Sequence, residues 1–167
     1  SIEVLYGILK EEQPDVVICV GQAGGRPNIT VERIAINQDD ARIPDNDGKQ
    51  PIDRTIFEEG PAAYFSTLPI KAMVRDMKEA GIPASVSNTA GTFVCNHIMY
   101  GALHYAALHQ PSLKAGFVHI PYLPMQTVDK PTMPSMSRDE IVKGLTTLIK
   151  TAIQVEEDVK ETGGAVC

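Results

Sequence analysis

Residues Asp15-Val-Val-Ile-Cys-Val-Gly21 form an unbroken apolar run of strand length. Such a strand has no polar face to offer water, so it is expected inside a sheet covered on both sides. Amphipathic stretches separate it from others of its kind. Residues 1–12 place Ile2, Leu5, Ile8 and Leu9 on one face and read as a helix ended by Pro14. Residues 30–37 read as a strand, although Val31, Arg33 and Ala35 alternate with Glu32, Ile34 and Ile36 and the two faces do not sort cleanly. A helix is expected from about Pro69 to Ala80, with proline in its first turn and Gly81 just past its end. Residues 83–87 read as a short strand, and a helix follows from about Cys95 to His109. Lys114–Ile120 is a further apolar strand, closed by Pro121. The last helix starts at the capping box Ser137-Arg-Asp-Glu140 and runs to about Val155, and residues 156–167 form a polar, Gly-rich tail. Strands alternating with helices predict an α/β fold with a mostly parallel central sheet covered on both sides.

The 167 residues suffice for one domain with a sizeable core and are too few for two. A net charge of −6 argues against a broad footprint for nucleic acid. No apolar run reaches bilayer length, so no membrane partner is expected, and there is no secretory-type leader. Cys19, Cys95 and Cys167 form no CxxC pair and read as free thiols of a reducing compartment, which places the chain in the cytoplasm. The sequence opens at Ser1 directly in a helical pattern, whereas a parallel α/β domain ordinarily opens with a strand. The native N-terminal stretch is therefore expected to be missing. Residues 38–61 are rich in Asp, Pro, Gly and Asn and read as a long ordered loop of the functional kind.

Cys95 lies in Ser87-Asn-Thr-Ala-Gly-Thr-Phe-Val-Cys95-Asn-His97, where a short strand gives way to a helix. The positive end of the helix macrodipole favours a thiolate there. The competing reading is a small buried hydrophobe. Cys19, inside the apolar strand, reads as core filler, and Cys167 as an exposed end. A nucleophilic thiol needs a base. His97 is two residues from Cys95 and points away from it. His104 and His109 read as helix-surface or satisfied core residues. His119 lies near the C-terminal end of a strand, where parallel α/β sheets build their sites; its alternative is an imidazole hydrogen-bonded in the core. Glu32, a lone carboxylate in an apolar strand, is the candidate that would orient the imidazole. Gly21-Gln-Ala-Gly-Gly25 lacks the spacing of a phosphate loop, and Asp45-Asn-Asp-Gly48 lacks the ligand ladder of a calcium loop. There is no HExxH motif for zinc and no GxSxG or GxCxG elbow, so neither a metal nor an ordinary α/β-hydrolase is expected.

Together, Gly21-Gln-Ala-Gly-Gly-Arg26, Val31-Glu-Arg-Ile-Ala-Ile-Asn37, Asp40-Ala-Arg-Ile-Pro-Asp-Asn46, the Ser87–His97 segment and Gly116-Phe-Val-His-Ile-Pro-Tyr122 resemble the signatures of the bacterial pyroglutamyl-peptidase I (pyrrolidone-carboxylate peptidase) family. The resemblance runs over nearly the whole chain. It implies a single three-layer α/β/α peptidase domain over residues 1–167. It further implies a cytosolic homotetramer and removal of N-terminal pyroglutamate from peptides without a cofactor. It places the nucleophile at Cys95, the base at His119 and the orienting acid at Glu32. Arg42 would serve the oxyanion. Phe93, Val94 and Ile43 would contact the lactam ring, and Gln22 its amide. Members of the family open with a strand and a Phe- and Gly-containing loop that this sequence lacks. The alternatives are another Cys–His–Glu amidohydrolase, against which the missing GxCxG elbow counts, and an inactive N-terminally truncated fragment.

Overall fold

The computed structural model describes residues 1–164. Its elements are α1 (Ile2–Glu12), β1 (Val16–Gln22), β2 (Ile29–Glu32), β3 (Ile34–Ile36), β4 (Ala63–Phe65), α2 (Ile70–Glu79), β5 (Ala84–Ser87), α3 (Val94–His109), β6 (Lys114–Ile120) and α4 (Arg138–Gln154), with a 3-10 turn at Pro124–Gln126. The strands form a central sheet in the order β1-β6-β2-β5 and a separate β3-β4 pair. The α/β class follows the alternation in the sequence. β2 and β5 pair in parallel, Ile29 opposite Ala84 and Glu32 opposite Ser87. β6 is an exception and runs antiparallel to β2.

The chain divides into two compact units, residues 1–19, 33–67 and 89–117 in the first, and residues 20–32, 68–88 and 118 onward in the second. In the first unit α3 carries the core. Met99, Tyr100, Ala102, Leu103 and Ala106 are buried with Leu9 of α1, Ala35 of β3 and Ala115 and Phe117 of β6. Two buried asparagines organise what surrounds it. Asn96, 1% exposed, accepts from the Ile36 amide at 2.9 Å and donates to the Ile36 and Gln38 carbonyls at 2.9 and 3.0 Å. Asn37 accepts from the amides of Ile56 and Phe57, both at 2.9 Å, and donates to the Phe57 carbonyl at 2.7 Å. The long loop is ordered, as expected: the Asp39 and Arg54 backbones bond reciprocally at 2.6 and 3.0 Å.

In the second unit α2 and α4 pack together and α2 lies on β2 and β5. Ile29 and Val31 are fully buried. A Cβ on Gly144 of α4 would touch Ile29 and Ile82, so Ile29 faces that helix. Period-2 alternation then turns Thr30 and Glu32 to the opposite face of the strand. Gly81, at φ +79°, ends the α2 turn in a conformation that a side chain would strain. The N-terminus of α2 is capped from afar: the Asp158 carboxylate accepts from the Lys71 and Ala72 amides at 3.0 and 2.9 Å. The N-terminus of α4 has the expected capping box, with the Ser137 hydroxyl accepting from the Glu140 amide at 3.2 Å.

Two sequence expectations need correction. Residues 30–37 are not one strand: Arg33 separates β2, in the central sheet, from β3, in the two-stranded one. The change of sheet explains why the apolar residues fall on both faces. β1 is not buried on both faces either. It stands at an edge of the described sheet, is only half-buried along most of its length, and leaves Val20 47% exposed. An apolar run reports what a strand can bury, not where it stands in the sheet.

Candidate active site

The second unit holds a buried acid–base pair. Thr30 is the register partner of His119 across the antiparallel β2–β6 pairing. Glu32, two residues on, shares Thr30's face and sits diagonal to His119, within reach of a long side chain. Its Oε1 lies 2.7 Å from His119 Nδ1. The Glu32 side chain has no exposure and that of His119 has 5%. A carboxylate can only accept, so Nδ1 carries the proton and Nε2 is the basic nitrogen of the ring. The case for His119 began from the C-terminal end of a parallel strand. The strand is antiparallel to its neighbour, yet the side chain still meets a carboxylate, because pairing rather than strand direction brings the two together.

A third group joins them. Arg26 Nη1 contacts the same Oε1 at 2.5 Å and also donates to the Thr30 hydroxyl. The loop that carries Arg26 is anchored near His119: the Ala23 amide bonds the Ile120 carbonyl at 3.0 Å. Gly24 lies against the Tyr122 ring, where any Cβ would collide with it. Arg26 escaped the sequence reading as a site residue. The signal was there in a lone cation of a Gly-rich loop, six residues before a lone strand carboxylate. Gln22 is exposed, and its amide exchanges hydrogen bonds with the Gln126 amide at 2.7 and 3.0 Å, a partner that sequence spacing does not reveal.

The first unit holds Cys95 in the first turn of α3, half-buried and free of any disulfide. Phe93, the residue that opens the helix, supplies no side-chain cap. The opening amides therefore keep their donor character. The Asp40 amide and the Thr92 hydroxyl tie residues 40 and 92 reciprocally, each bond at 2.8 Å. This holds the loop bearing Arg42 and Ile43 to the segment running into Cys95. Arg42 is exposed, and Ile43 and Val94 are 62% and 40% exposed. Phe93 and Val94 also line a cavity of about 460 Å³ together with Asp39, Gln50 and Arg54.

The remaining thiols and imidazoles sort by environment. Burial pushes the Cys19 thiol up to about 11, in keeping with core filler. Cys167 lies outside the described residues. His97 is engaged by Asp39, Nδ1 to Oδ2 at 2.8 Å, a pairing that the sequence reading missed. His104 is a satisfied core residue: its Nδ1 meets the Tyr64 hydroxyl at 2.9 Å, and its ring stacks on Phe57 at 4.2 Å. His109 rests against Tyr105.

An uncapped helix start with a half-buried thiol and, separately, an imidazole held by a buried carboxylate are both carried on this α/β fold. Comparison with known proteins gives the class. The model of the pyroglutamyl peptidase family matches residues 1–155. A pyrrolidone-carboxylate peptidase of Alkaliphilus oremlandii is 63% identical over 167 residues, which are all of this chain and 78% of that protein. One from Streptococcus suis is 60% identical, covering 99% of this chain and 78% of its own length. Among solved structures, pyroglutamyl peptidase I of Bacillus amyloliquefaciens superposes with a TM-score of 0.94 at 52% identity, over 96% of this chain and 76% of that one. Pyrrolidone carboxyl peptidase from Thermococcus litoralis gives 0.93 at 42% identity, over 96% and 77%. The chain belongs to the pyroglutamyl peptidase family.

Proposed function

We propose that the chain hydrolyses the amide bond that follows an N-terminal pyroglutamyl residue, with Cys95 as nucleophile, His119 as general base and Glu32 as the group that orients the imidazole. The observation that carries this reading is the buried contact of 2.7 Å between Glu32 Oε1 and His119 Nδ1. It fixes the tautomer in which Nε2 can take a proton. In the reaction His119 takes the Cys95 proton, and the thiolate attacks the pyroglutamyl carbonyl. His119 then protonates the leaving amine, and water releases pyroglutamate from the thioester. The opening amides of α3 and Arg42 serve the oxyanion.

A pyroglutamyl ring is neutral, apolar on its faces and polar along its amide edge. Exposed Ile43 and Val94 and half-buried Phe93 suit the faces. Gln22 suits the edge, by exchanging its partner Gln126 for the lactam amide. Such a site rejects proline, which lacks the ring carbonyl and leaves a polar group unpaired. No cofactor enters this chemistry and no nucleic acid is needed. No helix among the described residues is long and apolar enough to cross a membrane. The working form we infer is a cytoplasmic homotetramer. The family resemblance implies it, and Val142, Ile149 and Ile153, exposed apolar residues spaced along one face of α4, suit an interface between copies.

The test is release of a fluorescent amine from a pyroglutamyl amide. Cys95→Ala and His119→Ala are expected to abolish turnover, whereas Glu32→Gln retains a residue of it. Full activity in Cys95→Ala would remove the mechanism. Release from a prolyl amide at a comparable rate would remove the specificity assigned to Gln22.

A further inference from the structure

We propose that Arg26 is a positioning residue of this reaction, acting through Glu32 to hold the His119 imidazole in the tautomer that serves as base. The inference rests on the Cys95–His119–Glu32 reading.

Glu32 is buried with no exposure, yet only one of its two carboxylate oxygens is partnered among the described residues. Oε1 takes both Arg26 Nη1, at 2.5 Å, and His119 Nδ1, at 2.7 Å. Oε2 has no partner. The direction of the carboxylate is therefore set by two donors pulling on the same atom. Without the guanidinium, the carboxylate can turn about its last torsion and present either oxygen. His119 would then face a less firmly held acceptor, which weakens the bias toward the Nδ1–H tautomer.

Arg26 is placed to do this. Its Nη1 also donates to Thr30, which shares the Glu32 face of β2 and is the register partner of His119. Cation, hydroxyl, carboxylate and imidazole thus form one row across two strands. The loop is tied to the backbone one residue beyond His119 through the bond from the Ala23 amide to the Ile120 carbonyl. The guanidinium and the ring it governs are therefore held to a common frame. A buried carboxylate also requires a countercharge, and Arg26 is the cation in contact with it.

The experiment combines steady-state kinetics on a pyroglutamyl amide with 15N NMR of the histidine ring nitrogens, in the wild type and in Arg26→Met and Arg26→Lys. Arg26→Met is expected to lower kcat by about 10- to 100-fold, as loss of a hydrogen-bond partner that orients a metal-binding imidazole does, with KM little changed. Its His119 signals are expected to move from the Nδ1–H pattern toward a tautomer mixture. Arg26→Lys keeps the charge without the planar fork and is expected to recover part of both. It also serves as the readable variant if Arg26→Met does not fold. An unchanged kcat in a folded Arg26→Met, or an unchanged tautomer pattern in either variant, would overturn the proposal. So would a fall in activity that only tracks a fall in folded protein. A wild type without turnover, or turnover that survives His119→Ala, would instead sink the triad reading itself, an outcome separate from the first because the tautomer is read without activity.

Discussion

Asn96 shows how much one side chain can hold in place. All its side-chain polar atoms are spent on the backbone of residues 36 and 38, and it adjoins the thiol. Asn96→Ala would strip partners from the Ile36 amide and two carbonyls. The expected cost is about 2–3 kcal/mol, read as a lower urea midpoint at unchanged slope. The same variant should change the rate at which iodoacetamide labels Cys95, because the first turn of α3 loses its tie to β3. Unaltered labelling would mean that the stitch between residues 40 and 92 positions the thiol alone. Cys19 should label far more slowly than Cys95 in either protein, since its thiol is pushed up to about 11 by burial.

At the scale of elements, the two long helices of the second unit are capped by opposite means. α4 opens with the local Ser137–Glu140 box, and Ser137→Ala should cost about 1 kcal/mol. α2 opens at a proline with no cap of its own and borrows Asp158. Asp158→Ala should cost about 1–2 kcal/mol, through the lost cap and the lost charge at the helix start. Asp158→Asn should cost less, a ranking that thermal melts can read. These two caps also measure what the sequence disclosed. The Ser137 box was legible because its partners are three residues apart. The Asp158 cap was not, because its partners are separated by 87 positions and a polar tail carries no period that points to them. For the same reason β4, three residues long with no clear alternation, went unread, and so did the break at Arg33. The site divides along this line. Cys95 and His119 stood out as candidates from their places on elements, whereas Glu32 was singled out strongly only by the family resemblance. The Arg26, Gln126 and Asp39 partnerships exist only in the folded chain.

At the scale of the whole molecule, His104 is a pH-sensitive packing element that the mechanism does not use. His104 is held below its ordinary value of 6.5, first by burial and then by the neighbouring His109. A histidine with a depressed folded value binds protons more readily when unfolded. Its contribution to stability is thus complete above about 6.5 and is lost as pH falls below that toward the folded value. Melting temperature is expected to drop between about pH 7 and 5, and His104→Gln should flatten that part of the slope. An equal slope in the variant would place the sensitivity elsewhere. Asp158 has a further consequence at this scale. Of the two units, the first has all its segments by residue 117, while the second takes its last ones from residue 118 onward. On a ribosome the chain emerges in order, so α2 is made 87 residues before the carboxylate that caps it. During synthesis the unit with Cys95 can close while the unit with His119 waits, its first helix still open at one end.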